Sequence, residues 1–198
     1  MGEQALDELE HDQRPVFIKA GALGEGRPFK DLIVSPQHRI LVGGNRQLED
    51  KFQRQVLVPA KALTVISGVR FMRGKTRMTW VHFACAKHQV VIANGCIVES
   101  LLLGPMVLKG LSHIERKKLL TVFGPQDDES AALNGPPARD VLTVKETKRV
   151  LAASRLAHVR EDSTKTWDRD AAMLEYELHQ LMAAVGTNNA PVANRTFV

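Results

Sequence analysis

The run Leu32-Ile33-Val34-Ser35-Pro36-Gln37-His38-Arg39-Ile40-Leu41-Val42 limits the fold more than any other stretch of the chain. Two apolar triplets of strand length flank a Ser-Pro-x-His step, so each strand is expected to be buried on both faces or to lie at a sheet junction. Pro36 has no ladder donor and puts a bulge or bend between them. A bend held between rigid strands aims the polar side chains it carries, here the hydroxyl of Ser35 and the imidazole of His38, toward one shared point. The step also has an ordinary explanation: Ser-Pro starts turns, and a single His after one commonly makes structural hydrogen bonds.

The neighbouring segments read as a mainly β region with a helical tail. Residues 1–14 form a polar, acidic leader, and Pro15-Val16-Phe17-Ile18 opens a strand abruptly. Ala20-Gly21-Ala22-Leu23-Gly24-Glu25-Gly26-Arg27-Pro28 is a turn: it lacks a Gly-Lys-Ser/Thr ending and GxGxxG spacing, and a strand follows it, so it is no phosphate loop. Short apolar elements follow at residues 56–60 and 63–66. The runs 69–72 and 78–83 flank Arg73-Gly74-Lys75-Thr76, which suggests a hairpin with a basic tip. Val90 to Ala93, the turn Asn94-Gly95 and Cys96 to Val98 give the clearest hairpin signal in the chain.

Beyond Gly104-Pro105 the period changes to that of helices. Ser112-x-x-Glu115 is a capping box ahead of an apolar run that Gly124-Pro125 stops, giving a helical extension over 106–124. Residues 125–140 have the composition of a linker. Thr143-x-x-Glu146 opens a second helix, expected to run to about Val159, within a helical tail over 141–185. Trp167, Ala171, Leu174, Leu178, Leu181 and Val185 form an amphipathic stripe that packs on its own domain or docks a protein partner. Residues 186–198 are expected to be disordered.

Composition narrows the functional classes. A hydrophobic content of 44% with 25% charged residues is that of a folding globular protein. The net charge of +5 is spread along the chain and only one Tyr is present for stacking, so a nucleic-acid role is not expected. No signal peptide and no long apolar run occur, so a membrane span is not expected and the default compartment is cytoplasmic. Cys85 and Cys96 cannot make a disulfide framework; a single bridge between them stays open, and the simpler reading is two free thiols in a reducing compartment. His82, Cys85 and His88 suggest zinc, but strand alternation puts both imidazoles on one face and the thiol on the other, so neither metal nor cofactor is expected.

The segment Pro15-Val16-x-Ile18-x-Ala20-Gly21-Ala22-Leu23-Gly24-x-Gly26-x-Pro28-x-x-Asp31-Leu32-x-Val34-Ser35-Pro36-x-His38-Arg39 closely resembles bacterial hedgehog/intein (Hint) domains. The later run, Val81-His82 through His88 to Ala93-x-Gly95 and Glu99-Ser100, is similar to the end of the same domain, so the resemblance covers residues 15–105. It implies a β horseshoe, incomplete here, followed by an α-helical C-terminal extension, and autoproteolytic self-processing by an N–S or N–O acyl shift. By position Ser35 stands where the family's Thr does and His38 where its His does, the imidazole giving a proton to the scissile amide nitrogen. His82 and His88 match the residues that assist from later strands.

Two departures qualify this. Glu99-Ser100 stands where inteins end in His-Asn, so splicing is not expected, whereas cleavage or transfer to an external nucleophile is. No Ser, Thr or Cys precedes Ser35, so the first-residue nucleophile is missing. The chain is therefore expected to be the C-terminal half of the domain plus its extension, as a relic, a truncated frame or a split half. Its partner would be its own upstream or split N-terminal half, and it would be inactive alone, with exposed strand edges. The alternative is a non-catalytic interaction module using the 167–185 stripe.

Overall fold

The structure, a computed structural model, describes residues 2–6, 9–44, 47–164 and 173. The chain divides into two units, Met1–Arg155 and Leu156–Val198. Among the described residues the first unit has nine strands: β1 (Gly2–Ala5), β2 (Val16–Ile18), β3 (Leu32–Val34), β4 (Arg39–Val42), β5 (Val56–Pro59), β6 (Val69–Phe71), β7 (Arg77–Trp80), β8 (Val90–Ala93) and β9 (Cys96–Glu99). Helices α1 (Pro105–Lys109), α2 (His113–Phe123) and α3 (Val144–Thr164) follow, the last continuing into the second unit. A β-rich N-terminal region followed by helices is the fold class read from the sequence.

The strands form three antiparallel sheets, ordered β1-β7, β3-β2-β6 and β5-β4-β9-β8. The apolar faces of the two larger sheets meet in one core, in which Val16, Ile18, Ile40, Val42, Val58 and Leu63 are fully buried and to which α3 contributes Leu151. Each such side chain is worth about 1.5–3 kcal/mol of transfer free energy before its ordering entropy is charged. Strand β2 alternates as a one-sided strand should: Val16 and Ile18 face the core, and Phe17 lies outside beneath the Arg70 guanidinium, 4.7 Å from ring centroid to cation. Strands β4 and β5 are more thoroughly enclosed, every residue but Arg39 being buried.

The step at residues 35–38 is the junction between two sheets, because β3 pairs with β2 while β4 pairs with β5 and β9. The Asn94-Gly95 hairpin joins β8 to β9, both turn residues taking positive φ (51° and 78°) as a two-residue turn matched to strand twist requires. Residues 69–80 do not form the expected hairpin. Strand β6 pairs with β2 and β7 with β1, so the basic segment between them links two sheets. Local turn chemistry was compatible with a hairpin, and the N-terminal segments supplied competing edges.

Residues 1–14 accordingly do more than lead in: Gly2–Ala5 is a strand, Leu6 is buried with its N–H donating to the Thr76 carbonyl, and Asp12 pairs with Lys61 at 3.1 Å. Residues 125–140 likewise dock rather than merely connect. The Asp140 carbonyl accepts from Leu57 N–H at 2.8 Å and Leu142 N–H donates to the Leu57 carbonyl at 3.0 Å, which covers the free edge of β5. Both helix starts form as the sequence indicated: Ser112 and Glu115 complete a reciprocal capping box, and Thr143 and Glu146 do the same for α3, which extends past Val159 to Thr164. The Trp167 to Val185 stripe and residues 186–198 lie outside the described residues except for Met173, which is helical and exposed. Among the described residues no helix is long and apolar enough to cross a membrane.

Candidate functional site

Strands β4 and β9 meet in register only at Ile40 and Val98, and side chains close the seam on either side of that pair. At one end the buried amide of Gln47 donates to the carbonyls of Leu41 (2.6 Å) and Ile97 (2.7 Å), and accepts from Ile97 N–H (3.1 Å). At the other, Glu99 accepts from Arg39 N–H through Oε1 and from the Arg39 guanidinium through Oε2, both at 2.9 Å. Glu99 is a carboxylate with only 8% of its side chain exposed, which this pairing makes tolerable.

His88 is the third partner. Its ring, wholly buried, lies with Nε2 3.2 Å from Glu99 Oε2, while its Nδ1 accepts from Ala138 N–H at 2.9 Å. A nitrogen that accepts carries no proton, so in the neutral ring the hydrogen is on Nε2 and donates to the carboxylate.

His38 sits immediately before Arg39 in a turn that its own backbone closes, His38 N–H donating to the Ser35 carbonyl at 3.1 Å. The turn is held from outside as well: Ala60 N–H donates to the His38 carbonyl and Lys61 N–H to the Pro36 carbonyl, at 2.8 and 3.0 Å. Burial lowers the proton affinity of the His38 ring below its ordinary 6.5; Glu99 opposes that shift, and His82 and Arg39 add to it. The imidazole is therefore neutral at physiological pH and able to accept a proton.

The four residues singled out from the sequence are thus placed as follows. Ser35 and His38 bracket one turn, and among the described residues the Ser35 hydroxyl makes no hydrogen bond, to His38 or to anything else. His82 is exposed, stacks loosely on Trp80 at 6.4 Å and is close enough to weigh on His38. His88 reaches the same cluster through Glu99, but both of its ring nitrogens are committed. His82 and Cys85 lie outside any strand, so the alternation invoked for them does not apply there. Among the described residues no group of His, Cys, Asp or Glu side chains is arranged to hold a metal ion.

In the sequence Glu99 stands only in the place of another residue, whereas in the structure it is the hub of the cluster. The available signal was a carboxylate ending a buried apolar strand, a residue type rarely left there without a partner. Nothing local identified Asn134 or Ala138. The Asn134 side chain, buried, donates to the Leu101 carbonyl and accepts from Leu103 N–H, and its own carbonyl accepts from His88 N–H, at 2.9, 2.8 and 2.9 Å.

Compared with known families, residues 2–105 match the model of the Hint domain, a match that starts well before the residue 15 expected. No curated protein and no solved structure matches the chain.

Proposed function

Because the chain belongs to the Hint domain family, its matched segment covering more than half of the 198 residues, we propose that it is a self-processing module. In this reading it shifts an acyl group from a peptide nitrogen to a thiol or hydroxyl, and His38 carries the proton. What supports this most is His38: its ring is neutral through burial and under the influence of Glu99, Arg39 and His82, and its backbone is fixed in a sheet junction by hydrogen bonds on both sides.

The nucleophile's S–H or O–H gives its proton to His38 as its sulfur or oxygen bonds to the scissile carbonyl carbon. The tetrahedral adduct then collapses, the C–N bond breaks, and the imidazolium returns that proton to the departing nitrogen, leaving a thioester or ester and an amine. A ring of lowered proton affinity is unprotonated near neutrality and so free to accept, and its conjugate acid is the stronger donor to the departing nitrogen. Ser35, at the family's Thr position, orients the scissile amide through its hydroxyl. His82, exposed beside His38, exchanges protons with solvent.

Residues 1–34 contain no Ser, Thr or Cys, so on this reading the attacking group comes from a Cys- or Ser-led segment other than these. Glu99-Ser100 can supply neither the imidazole nor the side-chain amide that splicing uses, so the ester intermediate is resolved by an external nucleophile. The test is to co-express the full chain with a Cys-led first half of a Hint domain and treat it with hydroxylamine. Release of the upstream segment by mass spectrometry, lost in His38→Ala, is expected; an intact product with wild-type His38 rejects the proposal.

A further inference from the structure

We propose that Glu99 is the positioning residue of this site, and that the chain beyond the matched domain sets it by fixing the tautomer of His88 through Ala138 N–H. The proposal rests on the self-processing reading for what His38 does, but the connections are independent of it. They run from Ala138 N–H to His88 Nδ1 (2.9 Å), from His88 Nε2 to Glu99 Oε2 (3.2 Å), and from Glu99 Oε1 to Arg39 N–H (2.9 Å). Arg39 N–H belongs to the peptide that leaves His38, so the carboxylate holds the backbone on the far side of that residue from the Ser35 contact.

Each link is directional. An imidazole accepting at Nδ1 presents N–H at Nε2, which aims a donor, not a lone pair, at Glu99. The guanidinium of Arg39 shares the same Oε2, so neither carboxylate oxygen is left without a donor. Ala138 is itself placed by anchors on both sides: Asn134, whose carbonyl accepts from His88 N–H, and Asp140, whose carbonyl accepts from Leu57 N–H. Residues 134–142 therefore tie β5, His88 and the segment after β9 together, outside the span that the family model covers. The charged and titratable groups acting on His38 are Glu99, His82 and Arg39, and of these Glu99 alone draws a proton toward the ring.

A purely structural role would let Glu99 and Ala138 affect stability without touching the His38 ring. The full chain, labelled with ¹⁵N-histidine, separates the two in imidazole NMR spectra recorded across pH. In the wild type His88 is expected with its proton on Nε2. Glu99→Gln keeps an acceptor for Arg39 N–H but removes the charge, and should move the His38 midpoint to lower pH. Ala138→Pro removes the N–H and should leave His88 as a mixture of tautomers, whereas Ala138→Gly, which keeps it, should not.

A second pair covers failure of those variants to fold. His88→Gln retains a donor near the Nε2 position and should leave the His38 midpoint near wild type, while the shorter amide of His88→Asn reaches only the Nδ1 position and should shift it. A wild-type His88 protonated on Nδ1, a folded Glu99→Gln chain with an unmoved His38 midpoint, or the reverse order for the His88 pair overturns the proposal. No readout requires cleavage, so a chain that passes all of them yet never processes a partner defeats the self-processing reading alone.

Discussion

The two ends of the β4–β9 seam solve the same problem with opposite chemistry. At the Gln47 end a neutral amide makes three hydrogen bonds to strand backbone in a fully buried setting. At the Glu99 end a carboxylate replaces a ladder acceptor for Arg39 N–H and brings a guanidinium and two imidazoles into its neighbourhood. An amide would have sufficed to hold the strands together. A carboxylate costs more desolvation and is useful where charge must act on something, here the ring of His38. On the proposed reading, the contrast separates a structural clamp from a functional one within a few residues of the same strand.

The largest effect is expected from breaking the neutral end. Gln47→Leu leaves buried backbone groups of Leu41 and Ile97 unpaired and should cost about 4 kcal/mol in denaturant unfolding, with the His38 titration unmoved in whatever folds. A loss under about 1 kcal/mol would mean the amide is dispensable. Glu99→Ala should follow at about 3 kcal/mol, because Arg39 and His88 lose their shared acceptor, and unlike the first variant it should displace the His38 midpoint. If both variants shift that midpoint equally, the division of labour between the two ends is wrong.

A smaller effect is set by pH. Proton affinity of His38 is lower in the folded state than its ordinary 6.5, so the unfolded chain binds the extra proton. The stability associated with the neutral ring is then present above 6.5 and is lost as pH falls through that value toward the folded midpoint. Stability measured downward from pH 7 should decline less steeply in His38→Gln than in the wild type; parallel curves would contradict the assignment. The smallest effect concerns the thiol beside the amide clamp. Burial pushes Cys96 up to about 11, so native alkylation near neutrality should modify the partly exposed Cys85 first. Gln47→Leu should accelerate labelling of Cys96 more than Glu99→Ala does, which reports locally on which end has opened.

Where the chain's local chemistry decides the structure, the sequence was readable. Asn94-Gly95 specifies its turn, the Ser112 and Thr143 boxes specify helix starts, and the proline between two apolar triplets marks a change of sheet. What could not be read depends on groups distant in sequence. Whether β7 pairs with β6 or with β1 is settled by which edge is nearer, and alternation within residues 77–80 is the same in either case. The family resemblance pointed to Ser35, His38, His82 and His88, but the connections made by His88 and by the backbone after His38 run through Glu99 and through a Pro-rich segment whose composition says only loop. A backbone N–H has no sequence signature, so the Ala138 contact was visible only once residues 134 and 140 were seen anchored on either side of it.

The central claim, that His38 is the proton carrier of an acyl shift, is tested most directly by the pH dependence of release from the Cys-led partner in hydroxylamine. Release should fall off on the acid side with a midpoint below 6.5, tracking protonation of the His38 ring, and should move to still lower pH in Glu99→Gln. An acid limb centred at or above 6.5, or one that Glu99→Gln leaves in place, would contradict it.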